Sequence, residues 1–333
     1  MGAVNIAALA ALTTPVGAFA TAAIPDRLVF MQSGAMVNDL TALAGEGGAG
    51  VTLRKWSDYT TAAVADDGTA PTIQTLASAK EYAPVTRRRF YFGVNNYVGN
   101  AMGPGVDPLA ELGNKTTYRW TREIEKAMLS ELLGLFDASA GVLRTSFLNS
   151  VAAAAGTVVP ASVNHVIDTA ALLGDNMGDL SIAIAHPKVV ADLTKELAGK
   201  TTDVQFVRGD GSLGTMTRIL GLNFYQSEQV AVSGSGAFKT YTTYILRPGA
   251  LRLGMQGGMS IRTQYSAAYN RDEITEALGF LVHTNGVTYS GAVSDAEGGV
   301  SNTELGTATN FATAYANAKE VGVVALRTNA SKQ

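Results

Sequence analysis

From Trp120 onward the chain places an apolar side chain at every fourth position: Trp120, Ile124, Met128, Leu132 and Phe136, flanked by Leu129, Leu133 and Leu135. Residues four apart stack on one face of an α-helix, so this row predicts an amphipathic helix that needs a core to lie on. Arg119, Arg122, Glu123, Glu125, Lys126 and Glu131 fall on the other side, with Arg119 and Glu123 spaced as an i,i+4 ion pair. The pattern starts at about 107 or 116 and runs to 137, which is long for a globular domain. A fold built on this chain has to accommodate that rod.

The rest of the composition says what surrounds it. With 333 residues the chain exceeds one small core, so two or more sub-domains or one elaborated domain are expected. Hydrophobic residues make up 47% and charged residues only 16%, where a soluble domain carries about 25% charged. Either much of the surface faces other subunits, or the protein is a secreted β-rich chain with a Gly/Thr coat. The formal charge of −3 gives no global affinity for phosphate, and the absence of cysteine excludes disulfides and thiolate metal sites. No charged residue precedes Asp26, and no Lys or Arg precedes Arg27. A signal peptide needs a basic start, so these first residues read better as a mobile apolar arm lying on a neighbour. Pro15 and Gly17 break the apolar run short of a membrane span.

Along the chain, Gly45 to Gly50 is a flexible joint and VTLRKW (51–56) alternates as a strand. Residues 72–98, bent near Pro84, read as two strands forming a long hairpin with little core of its own. Its return strand carries Arg87, Arg88, Arg89, Phe90, Tyr91 and Phe92. A two-residue period puts Arg87, Arg89 and Tyr91 on one face and Arg88, Phe90 and Phe92 on the other. After the long helix, 141–163 reads as irregular, 164–174 as a helix and 180–185 as a buried strand. Pro187 then opens a helix, 188–198, that Gly199 closes. Strands are expected at 203–208, 219–225, 240–246, 250–253, 259–265, 273–283 and 286–289. The Ser/Gly/Ala/Thr-rich stretch 291–333 reads as a tail with a short helix near 309–319.

Chemistry-bearing patterns are missing. His165, His186 and His283 lie far apart, and none stands in a zinc-ligand spacing; His186, before Pro187, suits a helix cap. No nucleophile elbow, phosphate loop or dinucleotide fingerprint occurs, and Asp66-Asp67 sits in a polar turn. Arg208-Gly209-Asp210 is a chance tripeptide in a turn. No catalytic, cofactor-binding or metal-ligating residue is therefore expected. The Arg87–Arg89 run has three readings: a contact that meets carboxylates of a neighbouring subunit, a nucleic-acid contact, or a plain solvated edge strand. The interface reading is preferred to nucleic acid, because three arginines on an acidic chain make a small footprint. With Arg119, Arg122 and Glu123 of the helix, residues 87–92 are the subunit-contact candidates.

The order of segments, with VTLRKW (51–56), TYRWTREIEKAMLSELLGLF (117–136), LSIAIAHPKVVADLTKEL (180–197) and YTTYILRPGALRLG (241–254), resembles the major capsid proteins of tailed bacteriophages. That resemblance implies an α+β fold of the Hong Kong 97 type. It implies an N-terminal arm at 1–58, an extended E-loop at 59–104, and a spine helix with the first part of the P-domain at 105–149. An A-domain at 150–254, closing P-domain strands at 255–293 and a C-terminal tail at 294–333 complete the division. The implied role is non-enzymatic: hexamers and pentamers of an icosahedral shell around double-stranded DNA, without sequence-specific binding, cofactor or membrane. Implied partners are copies of the chain itself, a separate scaffolding protein, a portal and a decoration protein. The implied location is the virion capsid, assembled in the host bacterial cytoplasm with procapsid maturation. The founding member's Lys–Asn cross-link does not carry over, because nothing around Lys80 identifies a partner. The alternatives are an encapsulin-like compartment around protein cargo and a secreted surface-layer or adhesin protein.

Overall fold

In the computed structural model, the described residues are 21–40, 48–56, 78–95, 108–154, 157–197, 202–207, 213–219, 221–235, 238–269, 271–293, 299–314 and 318–330. The expected helix is α1 (Pro108–Leu135), about 42 Å long at 1.5 Å per residue. Trp120, Ile124, Met128, Leu132 and Phe136 are all fully buried. Its first half lies against a four-stranded sheet, in the order β1 (Met36–Val37), β12 (Leu251–Ser266), β13 (Arg271–Thr284), β4 (Thr86–Asn95). Its far end reaches a larger sheet, where Phe136 approaches Tyr244 with ring centroids 6.1 Å apart. One rod thus joins two sheets, which explains why it exceeds ordinary helix length.

The larger sheet runs β5 (Leu148–Ser150), β16 (Val323–Asn329), β11 (Thr240–Leu246), β6 (Ile182–Ala185), β9 (Leu222–Gln226), β8 (Leu213–Ile219), β7 (Thr202–Val207), with β10 (Val232–Ser233) on β11. Two helices accompany it. α2 (Val163–Ala171) is capped by Ser162, and α3 (Pro187–Glu196) has Pro187 in its first turn and is capped by the His186 ring, which accepts from the Lys188 amide at 3.2 Å.

Several sequence expectations change. Residues 78–95 do not fold back on themselves. β3 (Ser78–Pro84) pairs with β2 (Gly50–Trp56), while the run 86–95 continues past Val85 to pair with β13. The hairpin is therefore 50–56 with 78–84, and its connecting residues 57–77 lie outside the described ones, as do Arg208 to Asp210 and Gly199. The basic-aromatic strand belongs to the sheet under α1. The run passes from one sheet to the other at Val85.

Of the apolar arm, residues 1–20 lie outside the described residues, whereas Ile24, Leu28 and Phe30 are buried in the main core. Two of the predicted outward carboxylates on α1 turn inward. Glu125 accepts from the Val29 amide at 2.7 Å and from Gln229 Nε2 at 2.8 Å, and Glu131 accepts from the Thr284 amide at 2.7 Å. Burial raises the pKa of both. The strands expected at 250–253 and 259–265 are one strand, β12, because a bulge between Gln256 and Ser260 absorbs Gly257 (φ 68°) and Gly258. The stretch 213–219, not expected as a strand, pairs with β9 around Gly221.

The expected tail is structured: β16 lies between β5 and β11 inside the larger sheet. Instead of a helix at 309–319, the chain forms α4 (Asn302–Leu305), closed by a Ser301–Glu304 capping box. A 3₁₀ turn at Ala308–Asn310 follows, then β15 (Phe311–Thr313), which pairs with β14 (Val287–Tyr289).

Candidate functional site

Strand β4 has two faces, divided as its alternation requires. The inner face carries Arg88, Phe90 and Phe92. Phe90 meets Trp120 edge-on with centroids 4.8 Å apart, and the Arg119 guanidinium lies 5.0 Å from the Phe90 ring centre and 5.1 Å from that of Phe92. Arg119 does not pair with Glu123 as its spacing suggested; it points to Glu276, at 3.9 Å. Glu276 is fully buried on β13 and accepts from Thr116 Oγ1 at 2.5 Å and Trp120 Nε1 at 3.1 Å.

Glu123 belongs instead to Arg88, at 3.5 Å. Arg88 also donates to the Val300 carbonyl and Asn302 Oδ1, each at 3.0 Å, and to the Arg87 carbonyl at 3.1 Å. Burial lowers the Arg88 pKa, and the Glu123 carboxylate counters that shift. The guanidinium fork therefore braces β4, α1 and α4 within one chain. Arg122 turns outward onto Tyr118, donating to its hydroxyl at 3.1 Å.

The outer face follows from the strand register. Four rows cross β4, β13 and β12: Arg87–Gly279–Gln256, Arg89–Ala277–Ser260, Tyr91–Thr275–Arg262 and Gly93–Glu273–Gln264. Small residues line the middle strand for three rows and long ones rise on both sides, which makes a trough. Two hollows of about 360 and 550 Å³ lie along it, sharing Arg89 and Ala277. Arg87 is held at one end, donating to Gln256 Oε1 at 3.2 Å and the Gly48 carbonyl at 3.1 Å. At the other end Tyr91 donates to Glu273, which also accepts from Arg271 at 3.0 and 2.8 Å. The bond from Tyr91, reinforced by Arg271, lowers the Glu273 pKa, and the same bond raises that of Tyr91.

Arg89 and Arg262 stand between these ends, exposed on opposite rims. Among the described residues neither side chain makes a hydrogen bond or ion pair. Two unpaired guanidinium groups over a floor of small side chains suit a carboxylate-bearing extended segment.

Of the nine sequence candidates, Arg88, Phe90, Phe92, Arg119 and Glu123 thus meet on the inner side. Arg87, Arg89 and Tyr91 share the outer face, and Arg122 stands apart. Sequence reasoning missed Glu276, Glu273 and Arg262. Glu276 had a signal, since it shares a period-two row with Ile274, Leu278 and Phe280. Among the described residues no cluster of His, Asp and Glu has metal-holding geometry, and no helix is long and apolar enough to cross a membrane.

No protein-family model matches the chain. The major capsid protein of Bacillus phage SPP1 is 25% identical over 276 residues, covering 78% of this chain and 79% of that one. Two solved structures share the fold at low identity. The capsid of Ralstonia phage GP4 superposes with a TM-score of 0.58 at 10% identity over 92% of both chains. The cyanophage Pam1 capsid asymmetric unit gives 0.56 at 12% identity over 90% of this chain and 88% of that one. In sequence the chain is similar to a phage major capsid protein, and its α+β fold is the Hong Kong 97-type fold of the phage capsid structures.

Proposed function

We propose that the chain self-assembles into the hexamers and pentamers of an icosahedral virion shell enclosing double-stranded DNA. What carries the reading is a capsid fold matched over 92% of both chains. On this reading the β2–β3 hairpin belongs to the E-loop. Strand β4, α1 and the strands β12 and β13 form the P-domain, and the larger sheet forms the A-domain. The strand β16, between β5 and β11, completes the A-domain sheet.

Assembly rests on non-covalent overlap. The hairpin's own apolar cluster is small: Val51, Leu53, Ala83, Val85, Leu40 and Leu281. A hairpin of that size gains stability by covering a neighbour, and several weak contacts per subunit add up across a lattice. The outer arginine face, with Arg89 and Arg262 unpaired, meets carboxylates of another subunit. The net charge of −3 leaves the shell without a general grip on the DNA it holds. A separate scaffolding protein, a portal and a decoration protein complete the particle, which is built in the bacterial cytoplasm and matures from a procapsid.

Sedimentation of the purified chain, with negative-stain microscopy of the fast fraction, tests this. Closed particles are expected, and particles from an infected host should protect DNA from nuclease. A chain that remains monomeric at every concentration contradicts the shell, and host particles filled with protein cargo and no DNA favour the encapsulin-like alternative.

A further inference from the structure

His186 stands where the buried strand β6 passes into α3, and several elements converge on its ring. Its own helix is the first. The ring Nδ1 accepts from the Lys188 amide at 3.2 Å, and the His186 carbonyl accepts from the Val189 and Val190 amides at 3.0 and 3.3 Å. Because Pro187 has no N–H, this one residue satisfies the donors of the first turn. Strand β11 is the second element, with the Tyr241 ring 4.8 Å from the imidazole, centre to centre. The third is the turn after β9. The Ser227 amide donates to the Ala185 carbonyl at 3.0 Å, which brings the exposed Glu228 within electrostatic reach of the ring.

Cap and carboxylate make opposite demands on the imidazole. The cap needs a neutral ring with a lone pair free on Nδ1 and the proton on Nε2. Protonation turns Nδ1 into a donor facing another donor, at a helix end whose dipole already disfavours positive charge. Glu228 favours the charged ring.

We propose that His186 is a proton switch with two partners: neutral, it caps α3 through the Lys188 amide, and protonated, it leaves the cap for the Glu228 carboxylate and frees the first turn of the helix.

The surroundings set the direction. Burial lowers the His186 pKa, Glu228 pulls it up, and Lys188 lowers it further; the net shift is downward. From the other elements packed on the ring, β11 presents Tyr241 and β6 the uncharged Ala185. A histidine whose folded-state pKa is depressed contributes stability above its ordinary value of 6.5, and that contribution is lost as pH falls through the folded value. Val189, Val190 and Leu193 remain buried against the sheet, so acid should fray the start of α3 without detaching the helix. The switch lies within one chain and does not depend on shell assembly.

Hydrogen exchange of the full chain from about pH 7.5 to about pH 4.5, expressed as protection factors, tests it. Amides 188–190 should lose protection by about fivefold, the factor expected of one lost helix cap, while those of β11 keep theirs. His186→Asn, which caps without titrating, should hold that protection across the range. Glu228→Gln should move the loss to lower pH. Wild-type protection at 188–190 that is constant over the range, or that falls only in parallel with every other amide, overturns the proposal and requires no variant. An Asn variant that still loses protection selectively at 188–190 overturns it as well.

Discussion

Neighbouring arginines on β4 should behave in opposite ways. Arg88→Ala removes two hydrogen bonds of 3.0 Å to Val300 and Asn302, a third to the Arg87 carbonyl, and the 3.5 Å contact with Glu123. Bonds to neutral acceptors contribute about 1 kcal/mol each, and a partly exposed ion pair adds about 0.5–1 kcal/mol. Allowing for non-additivity, the unassembled chain should lose about 2–4 kcal/mol. Arg88→Lys should recover only part of that loss, since an ammonium group cannot reproduce the fork. Arg89, one residue on, makes no such contacts, so Arg89→Ala should change stability by less than about 0.5 kcal/mol. Urea unfolding of the unassembled chain measures both, the midpoint reporting stability and an unchanged slope confirming comparable unfolded states. A loss below about 1 kcal/mol for Arg88→Ala, or equal losses for the two variants, would refute the division of β4 into a bracing face and a free face.

Other consequences follow from the same geometry. Glu276→Ala strands Trp120 Nε1 and Thr116 Oγ1 in the core and should cost about 3–5 kcal/mol in the same assay, with Glu276→Gln costing clearly less. The charge reversal Arg89→Glu with Arg262→Glu should leave circular dichroism and the unfolding midpoint unchanged but abolish fast-sedimenting particles; normal assembly would remove this face from the contact. The Ser301 amide and hydroxyl lower the Glu304 pKa, so its contribution is present above the ordinary carboxylate range and disappears as pH falls through the folded value. Glu304→Ala should accordingly flatten the acid end of a stability-against-pH curve, and an unaltered curve would contradict that assignment.

The parts legible in sequence were those that depend on local periodicity. The four-residue row fixed α1, and the two-residue alternation divided Arg87, Arg89 and Tyr91 from Arg88, Phe90 and Phe92. What was hidden depends on partners distant in the chain. Whether 78–84 pairs with 86–95 or with 50–56 leaves no local trace, because either pairing satisfies the same strand preference. β16 was missed because its apolar run, Val323 to Leu326, is short and set among small polar residues, yet a central strand needs only such a run once both faces are covered. Glu125 and Glu131 were placed outside because charge normally marks the wet face of a helix. Backbone amides from Val29 and Thr284 made their burial tolerable.

The proposed shell closes through the arginine face and the hairpin. Cryo-electron microscopy of particles formed by the chain tests it most directly. The expected result is a closed icosahedral lattice of hexamers and pentamers in which Arg89 and Arg262 are covered by carboxylates of an adjacent subunit. A chain that yields no closed particles, or a shell in which that trough faces open solvent, would contradict it.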